Sequence, residues 1–371
     1  MGLFKIFKKQ TIYESTQQDH IEPKTEEENK NGFKQDKTTM TLEEALNKFK
    51  PDFTPGQRVM SQRKLRDTIL YAVALGDIAG SQYEGVPYPG SSIADMMKTA
   101  KDNEDVDGTY PTYDGYKTID LLTEFNHITD DTILTIAIYK ASQKIKALGL
   151  TDEKEIVDLY TKYLRKYHHQ YPNAGYAGGF DEWALSETEE RNFSYGNGAC
   201  MRVGGITVLF DNIEDVITYA YYSALPSHSH AEGIKGAVCT AVIYWMLSRN
   251  ASKNDIIRYL EKHYPNDGSY KIHAHTQIAD LIAMNRVNPW STVSVISQTS
   301  LVEAVINFME SDSLESCIRN SYRYLCDRDT IAAISAPMAA IFYNDLRMQS
   351  WNGEEIISKY VPEKLLEDIN N

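Results

Sequence analysis

The sequence is short of basic residues, because 38 lysines and arginines stand against 52 aspartates and glutamates in 371 residues. The resulting formal net charge of −14 argues against a nucleic-acid backbone as the main partner, since contact with many phosphates requires a basic face. This charge does not exclude a small anionic ligand that is held by a local site.

Membrane-spanning runs, a secretory signal and paired cysteines are also missing. The apolar stretch AVCTAVIYWML ends at Leu247 and is too short to cross a membrane. The four cysteines, at positions 200, 239, 317 and 326, form no CxxC pair and are more typical of a reducing compartment than of a disulfide framework. We therefore expect a cytoplasmic protein without a transmembrane segment. A monomer is favoured, although the sequence leaves the oligomeric state open.

The first part of the chain has few aliphatic residues and many polar ones. We interpret residues 1–39 as a disordered polar tail, because such a composition cannot bury enough apolar surface to fold. Residues 40–66 are expected to form a helical lead-in, residues 67–345 the main domain and residues 346–371 a C-terminal helical extension.

Strand patterns are scarce as well, and the sequence has no internal repeat of about 20 to 50 residues. Helical spacing dominates instead, as in the apolar positions between residues 156 and 167. Three stretches are apolar on nearly all sides, which is typical of central buried helices: DTILYAVALGDIAG, GIKGAVCTAVIYWML and TIAAISAPMAAIFY. The predicted fold is all-α, with a single globular domain of many helices.

Two capping-box patterns and two glycine-rich segments add local detail. SKND at residues 252–255 and SLVE at residues 300–303 predict helix starts. Residues 101–118 and 171–199 are rich in glycine, tyrosine and asparagine, and we expect them to be long loops. Long ordered loops on a helical scaffold are frequent locations of functional residues.

Adjacent carboxylates precede an apolar stretch in ITDDTILTIA. The simplest interpretation makes Thr129 the N-cap of a helix, with Asp130 and Asp131 interacting favourably with its macrodipole. A second group of the same form changes this view, because CDRDTIAAISAPMAA places Asp327 and Asp329 before another apolar helix.

If these two helices pack together, four carboxylates lie in the interior, where unneutralised charges would cost more than the stability of a domain. Cations would solve this problem. Ligand sets made only of oxygen suit Mg²⁺ first and Mn²⁺ or Ca²⁺ next, and threonine hydroxyls can complete the coordination shell. Two ions would balance four negative charges.

Three further segments have weaker signals. YGNGACMR contains a glycine-bearing turn whose N–H groups could bind phosphate with Arg202 nearby, although an ordinary loop is the simpler interpretation. SHSHAEGIKGA places His228 and His230 before a buried helix. Such a pair can ligate zinc, but the repeated βα units of a zinc amidohydrolase are absent from the sequence, and loop histidines more often form hydrogen bonds. Glu84, taken alone, is a solvated loop carboxylate.

Together the motifs resemble those of the ADP-ribosylglycohydrolase family. In order along the chain, they are GDIAGSQYE, FNHITDDTILTIA, YPNAGYAGGFDEW, YGNGACMRVGGI, SHSHAEGIKGA and CDRDTIAAI. The resemblance implies an all-α fold with two Mg²⁺ ions, sometimes Mn²⁺, in a central cleft. It also implies cleavage of the bond between C1″ of ADP-ribose and an acceptor, with ADP-ribose or an ADP-ribosylated protein as the partner.

The resemblance also implies roles for individual residues. The metal ligands would be Thr129, Asp130, Asp131, Asp327, Asp329 and Thr330. Glu84 matches a family glutamate that assists in acid–base catalysis beside the metals, and Asp131 is the second candidate catalytic residue.

The substrate-binding residues are implied by the same comparison of motifs. Tyr195 would stack on adenine, and His228 would lie at the phosphate or distal-ribose end. The pyrophosphate would be held by the backbone of the turn and by a nearby cation, at Gly196, Asn197, Gly198, Ala199 and Arg202.

The chain departs from the family pattern at the second acidic group. Leu325 and Cys326 stand where Gly-Gly is usual, and Arg328 replaces a small threonine or serine. An arginine side chain in solvent would be harmless, whereas one pointing inward would compete with a cation or pair with an aspartate. The main alternative to an active enzyme is therefore a catalytically weakened homologue that binds ADP-ribose or a partner protein. The acceptor atom is left open by the sequence.

Overall fold

In a computed structural model of the protein, the structure describes residues 39–82, 114–186, 188–264, 295–322 and 327–371. Glu84, the pair Leu325 and Cys326, and the first part of the expected loop at 101–118 lie outside the described residues.

The described residues form α-helices and two short 3-10 helices, with only isolated β-bridges between them, which confirms the all-α prediction. The 3-10 helices span Asp114–Lys117 and Asn197–Ala199. The α-helices are α1 (Leu42–Phe49), α2 (Gln62–Ser81), α3 (Asp130–Leu148), α4 (Glu153–Gln170), α5 (Gly178–Leu185), α6 (Gly204–Leu209), α7 (Ile213–Ala224), α8 (Ala231–Ser248), α9 (Lys253–His263), α10 (Ser297–Met309), α11 (Leu314–Asn320), α12 (Arg328–Tyr343), α13 (Gly353–Tyr360) and α14 (Glu363–Asn370).

The three stretches that are apolar on nearly all sides form α2, α8 and α12, and all three are buried along most of their length, as predicted. Their burial follows from the lack of a polar face that could meet water. No helix in the described parts of the chain combines the length and the apolar character that crossing a membrane requires.

One of the two capping-box predictions is confirmed and the other is wrong. Ser252 caps α9 and exchanges hydrogen bonds with Asp255 as expected. Ser300, in contrast, lies inside α10, which begins at Ser297. A spacing of three residues is also nearly one helical turn, so the same letters occur within a helix, where Ser300 accepts a hydrogen bond from the Asn197 side chain at 3.1 Å.

The segment 171–199 is not a continuous loop, which corrects the prediction. It contains α5, where Phe180 and Trp183 are buried. Their spacing of three residues places both on one helical face. The helix is short and lies among glycines, so the sequence did not indicate it. The turn at its end is the 3-10 helix Asn197–Ala199.

Helices α2 and α12 approach each other closely enough that their backbones touch. A Cβ atom on Gly76 would lie 2.4 Å from the carbonyl oxygen of Ala332, and one on Gly80 would lie 2.2 Å from Cα of Asp329. The two glycines are four residues apart and therefore share one face of α2. This close crossing fixes the start of α12 against the C-terminal part of α2.

Candidate active site

The amino-terminal ends of α3 and α12 meet in the interior. Helix α3 begins directly after its N-cap Thr129, and α12 begins directly after Asp327. The hydroxyl of Thr330 donates a hydrogen bond to Oδ2 of Asp131 at 3.2 Å, which joins the two acidic groups that are far apart in sequence. Thr129 therefore caps α3, as the simplest interpretation of the sequence expected, and the two acidic groups also lie close together.

A third carboxylate, which the sequence reasoning missed, completes this cluster. Asp77 in α2, Asp131 in α3 and Asp329 in α12 are buried, and each has an oxygen within 4.8 Å of the others. The available signal was a single aspartate in the otherwise apolar DTILYAVALGDIAG, since a carboxylate inside a buried helix requires a partner.

Asp77 holds the start of α3. Its oxygens accept hydrogen bonds from the backbone N–H and hydroxyl of Thr129, at 2.9 and 2.8 Å, and from those of Thr132, at 3.1 and 2.5 Å. These four donors satisfy the carboxylate and place Thr129 and the following aspartates. Because its oxygens are occupied by these hydrogen bonds, the main role of Asp77 is to position the start of α3, and it is a less available ligand for a cation.

Asp131 has one carboxylate oxygen that is open. Its Oδ2 accepts a hydrogen bond from the hydroxyl of Thr330 at 3.2 Å, and it lies 3.1 Å from the hydroxyl of Thr129, whose single proton is closer to Asp77. Its Oδ1 is buried and has no hydrogen-bond partner among the described residues. A buried carboxylate oxygen without a donor is costly, and a cation bound by oxygen ligands alone would satisfy it. The residues present therefore fit a hard divalent ion.

The acidic cluster resists ionisation as long as no cation is bound. Burial is the main cause that raises the pKa of Asp131 well above its usual range, and the charges of Asp77, Asp130 and Asp327 raise it further. Burial also raises the pKa of Asp77 to about 6, against the lowering effect of its hydrogen bonds from the two threonines. Cations and protons therefore compete for these carboxylates.

A further buried carboxylate, Glu303 of α10, was also missed. Burial raises its pKa to about 8, and the charge of Asp327 adds to this effect. Its Oε2 has no hydrogen-bond partner within the described ranges. The sequence signal was hidden because Glu303 appeared as the last residue of a capping box at residues 300–303.

The glycine-bearing turn is tied directly to the second acidic group. The side-chain amide of Asn197 donates a hydrogen bond to Oδ2 of Asp327 at 2.8 Å. On the other side of the turn, the hydroxyl of Ser297 donates to the carbonyl oxygen of Gly196 at 2.7 Å. A ligand bound along this turn would therefore lie beside the acidic cluster.

Only part of the expected backbone cradle can donate to a ligand. The N–H of Gly196 already donates to Oγ of Ser194 at 3.0 Å, and that of Asn197 donates to the carbonyl oxygen of Val295 at 2.9 Å. Gly198 and Ala199 are the remaining candidate donors of the four residues that the sequence predicted.

Tyr195 lies on an exposed aromatic surface next to this turn. Its side chain is 42% exposed, and its ring centroid is 5.2 Å from that of His230. The ring of Phe193 also packs against His230, with centroids 5.0 Å apart. The sequence singled out Tyr195 alone, whereas the structure adds two rings to the same platform.

Arg202 and His228 lie behind the turn, and neither is exposed at the platform. Arg202 is fully buried and donates from Nη2 to the carbonyl oxygen of Ser223 at 3.1 Å and to Oγ of Ser227 at 2.8 Å. The imidazole of His228 packs on the turn, since a Cβ on Gly198 would be 3.0 Å from its Nε2. The direct role expected for Arg202 in phosphate binding is thus not supported by its position.

The comparison with known proteins agrees with this geometry. A family model described as ADP-ribosylglycohydrolase matches residues 62–346, which contain both acidic groups and the glycine turn. The chain belongs to the ADP-ribosylglycohydrolase family.

Curated relatives are ADP-ribosylhydrolases named ARH3. The human protein is 24% identical over 330 residues, which cover 76% of this chain and 86% of its own length. The mouse protein is 28% identical over 200 residues, so this match spans only half of each chain. A solved structure described as an ADP-ribosylglycohydrolase-related protein complex covers 83% of this chain and 93% of its own, with a TM-score of 0.47 and 18% identity.

Arg328, the main departure from the usual pattern of the ADP-ribosylglycohydrolase family, is buried. Its side chain is 1% exposed, and its Cζ lies 5.9 Å from the ring centroid of Tyr322, within range of a cation–π contact. The alternative in which Arg328 points harmlessly into solvent is therefore wrong.

Arg328→Thr is expected to strengthen Mg²⁺ binding several-fold, because the change removes a buried positive charge from the first turn of α12 beside Asp329. The variant should also have a lower metal-free Tm, since it loses packing against Tyr322. Isothermal titration with Mg²⁺ measures the first effect, and Arg347→Thr, at an exposed arginine, is the control. Unchanged Mg²⁺ affinity would mean that Arg328 does not compete with the ions.

The metal-free protein is expected to lose about 1 kcal/mol of stability between about pH 7 and pH 8. Glu303 has a pKa near 8 in the folded state and a lower one when unfolded, so the folded state holds the extra proton and is destabilised as the pH rises. His228 and His263 have lowered pKa values and are largely neutral in this range, so they contribute little.

Thermal unfolding in a chelator at several pH values tests this expectation. The raised pKa of Asp131 acts in the same direction, so Glu303→Gln should reduce the decline without abolishing it. Added Mg²⁺ should also reduce it, because cations favour the ionised carboxylates. A metal-free Tm that rises through this pH range would contradict the assignment of Glu303 as a protonated buried carboxyl group.

Proposed function

We propose that the protein is a metal-dependent hydrolase that cleaves the bond between C1″ of ADP-ribose and an acceptor, and releases ADP-ribose. The observation that carries the proposal is the open Oδ1 of Asp131, which is buried where two helix N-termini meet. Two Mg²⁺ ions, with Mn²⁺ as the alternative, are the proposed cofactors, because every candidate ligand is oxygen.

The two acidic groups would hold the ions. The proposed ligands are Thr129, Asp130, Asp131, Asp327, Asp329 and Thr330. When bound, the ions would orient the 2″ and 3″ hydroxyls of the distal ribose and make a water more acidic. The network from Asp77 keeps the ligands of α3 in place, so little reorganisation is needed on binding.

The rest of ADP-ribose would extend from the acidic cluster along the glycine turn. The N–H groups of Gly198 and Ala199 would donate to the pyrophosphate, and the adenine would stack on Tyr195. The hydrogen bond between Asn197 and Asp327 supports this path, because it connects the turn to the ribose end of the site. A ligand that bridges both ends fixes C1″ relative to the carboxylates.

Glu84 is the proposed acid–base residue. Its carboxylate would take a proton from the attacking water or give one to the leaving acceptor, a contribution that is typically worth about 10²–10⁴-fold. The transition state would resemble an oxocarbenium ion, which the negative charge of the cluster, with Asp131 at its centre, would stabilise.

The deciding experiment is a set of defined ADP-ribosyl linkages to arginine, to serine and to a nucleic-acid base, incubated with the protein in Mg²⁺, in Mn²⁺ and in chelator. The expected result is release of free ADP-ribose from at least one linkage, only with a divalent ion. ADP-ribose binding without release from any linkage would favour the alternative, an ADP-ribose-binding homologue that has lost catalysis.

Tyr195→Ala is expected to weaken ADP-ribose binding by about tenfold or more, because stacking of a base on an aromatic ring is worth about 1–3 kcal/mol. The ring is 42% exposed, so the metal-free Tm should change little. Titration calorimetry with Mg²⁺ measures the affinity, and Trp351→Ala, at an aromatic residue that is 40% exposed, is the matched control. Equal losses in both variants, or none in either, would mean that the adenine binds elsewhere.

A further inference from the structure

A short chain of hydrogen bonds connects the buried Arg202 to the glycine turn. It passes through Ser227 and ends at the imidazole of His228, whose Nε2 faces Gly198. Gly198 allows this approach, because a Cβ at that position would lie 3.0 Å from Nε2 and 3.1 Å from Cε1 of His228. Any larger residue would push the ring away from the turn.

The donors in this chain determine where the imidazole proton lies. Arginine has only N–H donors, so Oγ of Ser227 accepts the bond from Nη2 of Arg202 at 2.8 Å. The hydroxyl of Ser227 then has its own proton to donate, and Nδ1 of His228, 2.9 Å away, is its acceptor among the described residues. If Nδ1 carried the proton, Oγ of Ser227 would accept twice and its own proton would have no acceptor among the described residues, so this arrangement favours a neutral ring with its proton on Nε2.

The surroundings keep the ring neutral. Burial lowers the pKa of His228 well below its usual range, and the nearby charge of Arg202 lowers it further. His228 is 5% exposed and Arg202 is completely buried, so bulk water does not replace these contacts. Within the described parts of the chain, Nε2 makes no hydrogen bond of its own, and its N–H remains available to a ligand at the turn.

We propose that Arg202 and Ser227 are positioning residues that fix His228 as a neutral Nε2–H donor aimed at the glycine turn. In this arrangement Arg202 does not touch the ligand. It holds the serine hydroxyl in the orientation that makes Nδ1 an acceptor. The identity of the ligand rests on the proposed function: the Nε2–H would donate to a phosphate oxygen of ADP-ribose, next to the N–H groups of Gly198 and Ala199.

The opposite tautomer would be unfavourable for this ligand. With the proton on Nδ1, the imidazole would present a lone pair from Nε2 to an anionic oxygen. A serine–arginine pair that excludes this form therefore has a direct effect on affinity, apart from any contribution to folding. Such control of a histidine tautomer by the hydrogen bond at its other nitrogen is common at functional sites.

Nitrogen-15 NMR of the full chain without ligand tests the tautomer directly. The two nitrogens of His228 should show the shifts of a neutral ring protonated at Nε2, and loss of the signal in His228→Gln would identify it. A spectrum with the proton on Nδ1, or with both nitrogens protonated at neutral pH, would overturn the proposal. This result does not depend on whether ADP-ribose is the ligand.

Two variants of Ser227 then separate positioning from folding. Ser227→Ala removes the donor to Nδ1, and the Kd for ADP-ribose should rise about tenfold with a mixed tautomer in the spectrum. Ser227→Thr keeps the hydroxyl, so its Kd for ADP-ribose should stay within about twofold of the wild-type value and its spectrum should show the Nε2–H form. If Ser227→Ala shows the Nε2–H form and unchanged affinity, the positioning role is overturned.

The two hypotheses fail in different ways. If the wild-type protein does not bind ADP-ribose, the proposed function is wrong. The spectrum still decides whether Arg202 and Ser227 fix the tautomer of His228. If Ser227→Ala does not fold, the spectrum of the wild-type protein and the affinity of Ser227→Thr decide the proposal. A Kd of Ser227→Thr far above the wild-type value, although the hydroxyl is intact, would contradict it.

Discussion

Asp131→Asn is expected to abolish metal-dependent release of ADP-ribose and, at the same time, to raise the Tm of the metal-free protein. The loss of activity follows because a neutral amide is a much weaker ligand for Mg²⁺ than a carboxylate. The gain in stability follows because Asp131 is almost fully buried, with Asp77, Asp130 and Asp327 raising its pKa. Without a cation, folding at neutral pH requires either a buried charge or a proton on this carboxyl group, and asparagine removes that cost.

The geometry favours asparagine over alanine for this test. The amide oxygen can keep the hydrogen bond from Thr330, and the NH₂ group would take the position of the open Oδ1. The metal-free protein should gain about 1–3 kcal/mol, because the amide is neutral without a bound proton and each unit by which a pKa is raised costs about 1.4 kcal/mol. Addition of Mg²⁺ should then no longer raise the Tm, because the preferential binding of the ion to the folded state is lost.

Thermal unfolding with Mg²⁺ and with chelator, alongside the release assay, distinguishes this expectation from simple damage. Asp158→Asn is the matched control, because Asp158 is exposed on α4 and pairs with Lys154. A variant that is less stable than the unchanged protein in chelator and still responds to Mg²⁺ would contradict a metal site centred on Asp131.

The carboxylates that the sequence identified and those it missed differ in their local signal. Asp131 and Asp329 follow or precede threonines at the head of apolar helices, and the repetition of that pattern pointed to a shared site. Asp77 is a single polar residue within one apolar helix, and Glu303 resembled part of a cap. Their burial depends on which helices pack against them, and no local pattern contains that information.

The same limit applies to the substrate side. The turn at residues 195–202 was recognised from its glycines, but which N–H groups remain available depends on Val295 and Ser194, and only the first of these is distant in sequence. Arg202 was expected at the phosphate because it is a cation next to the turn. Its burial behind Ser227 follows from the packing of α6 and α7 and could not be read from composition.

Gly80→Ala is expected to destabilise the protein by about 3 kcal/mol or more and to remove Mg²⁺ binding from the molecules that still fold. The added Cβ would lie 2.2 Å from Cα and 2.5 Å from the backbone nitrogen of Asp329, so only a shift of one helix backbone can relieve the overlap. Helices α2 and α12 carry Asp77 and Asp329, and their separation would pull apart carboxylates that now lie within 4.8 Å.

Gly178→Ala is the control, because a Cβ at Gly178 would meet no atom within 4 Å. At the start of α5 this change should be neutral or slightly stabilising, since alanine is the better helix former. Chemical denaturation gives the loss in stability, and calorimetry with Mg²⁺ on the folded fraction gives the loss in binding. If Gly80→Ala were as stable as Gly178→Ala and bound Mg²⁺ normally, the two helices could not be in backbone contact at this point. The glycines of GDIAG would then have no part in assembling the acidic cluster, and the approach of α12 to α2 would not be what brings its carboxylates together.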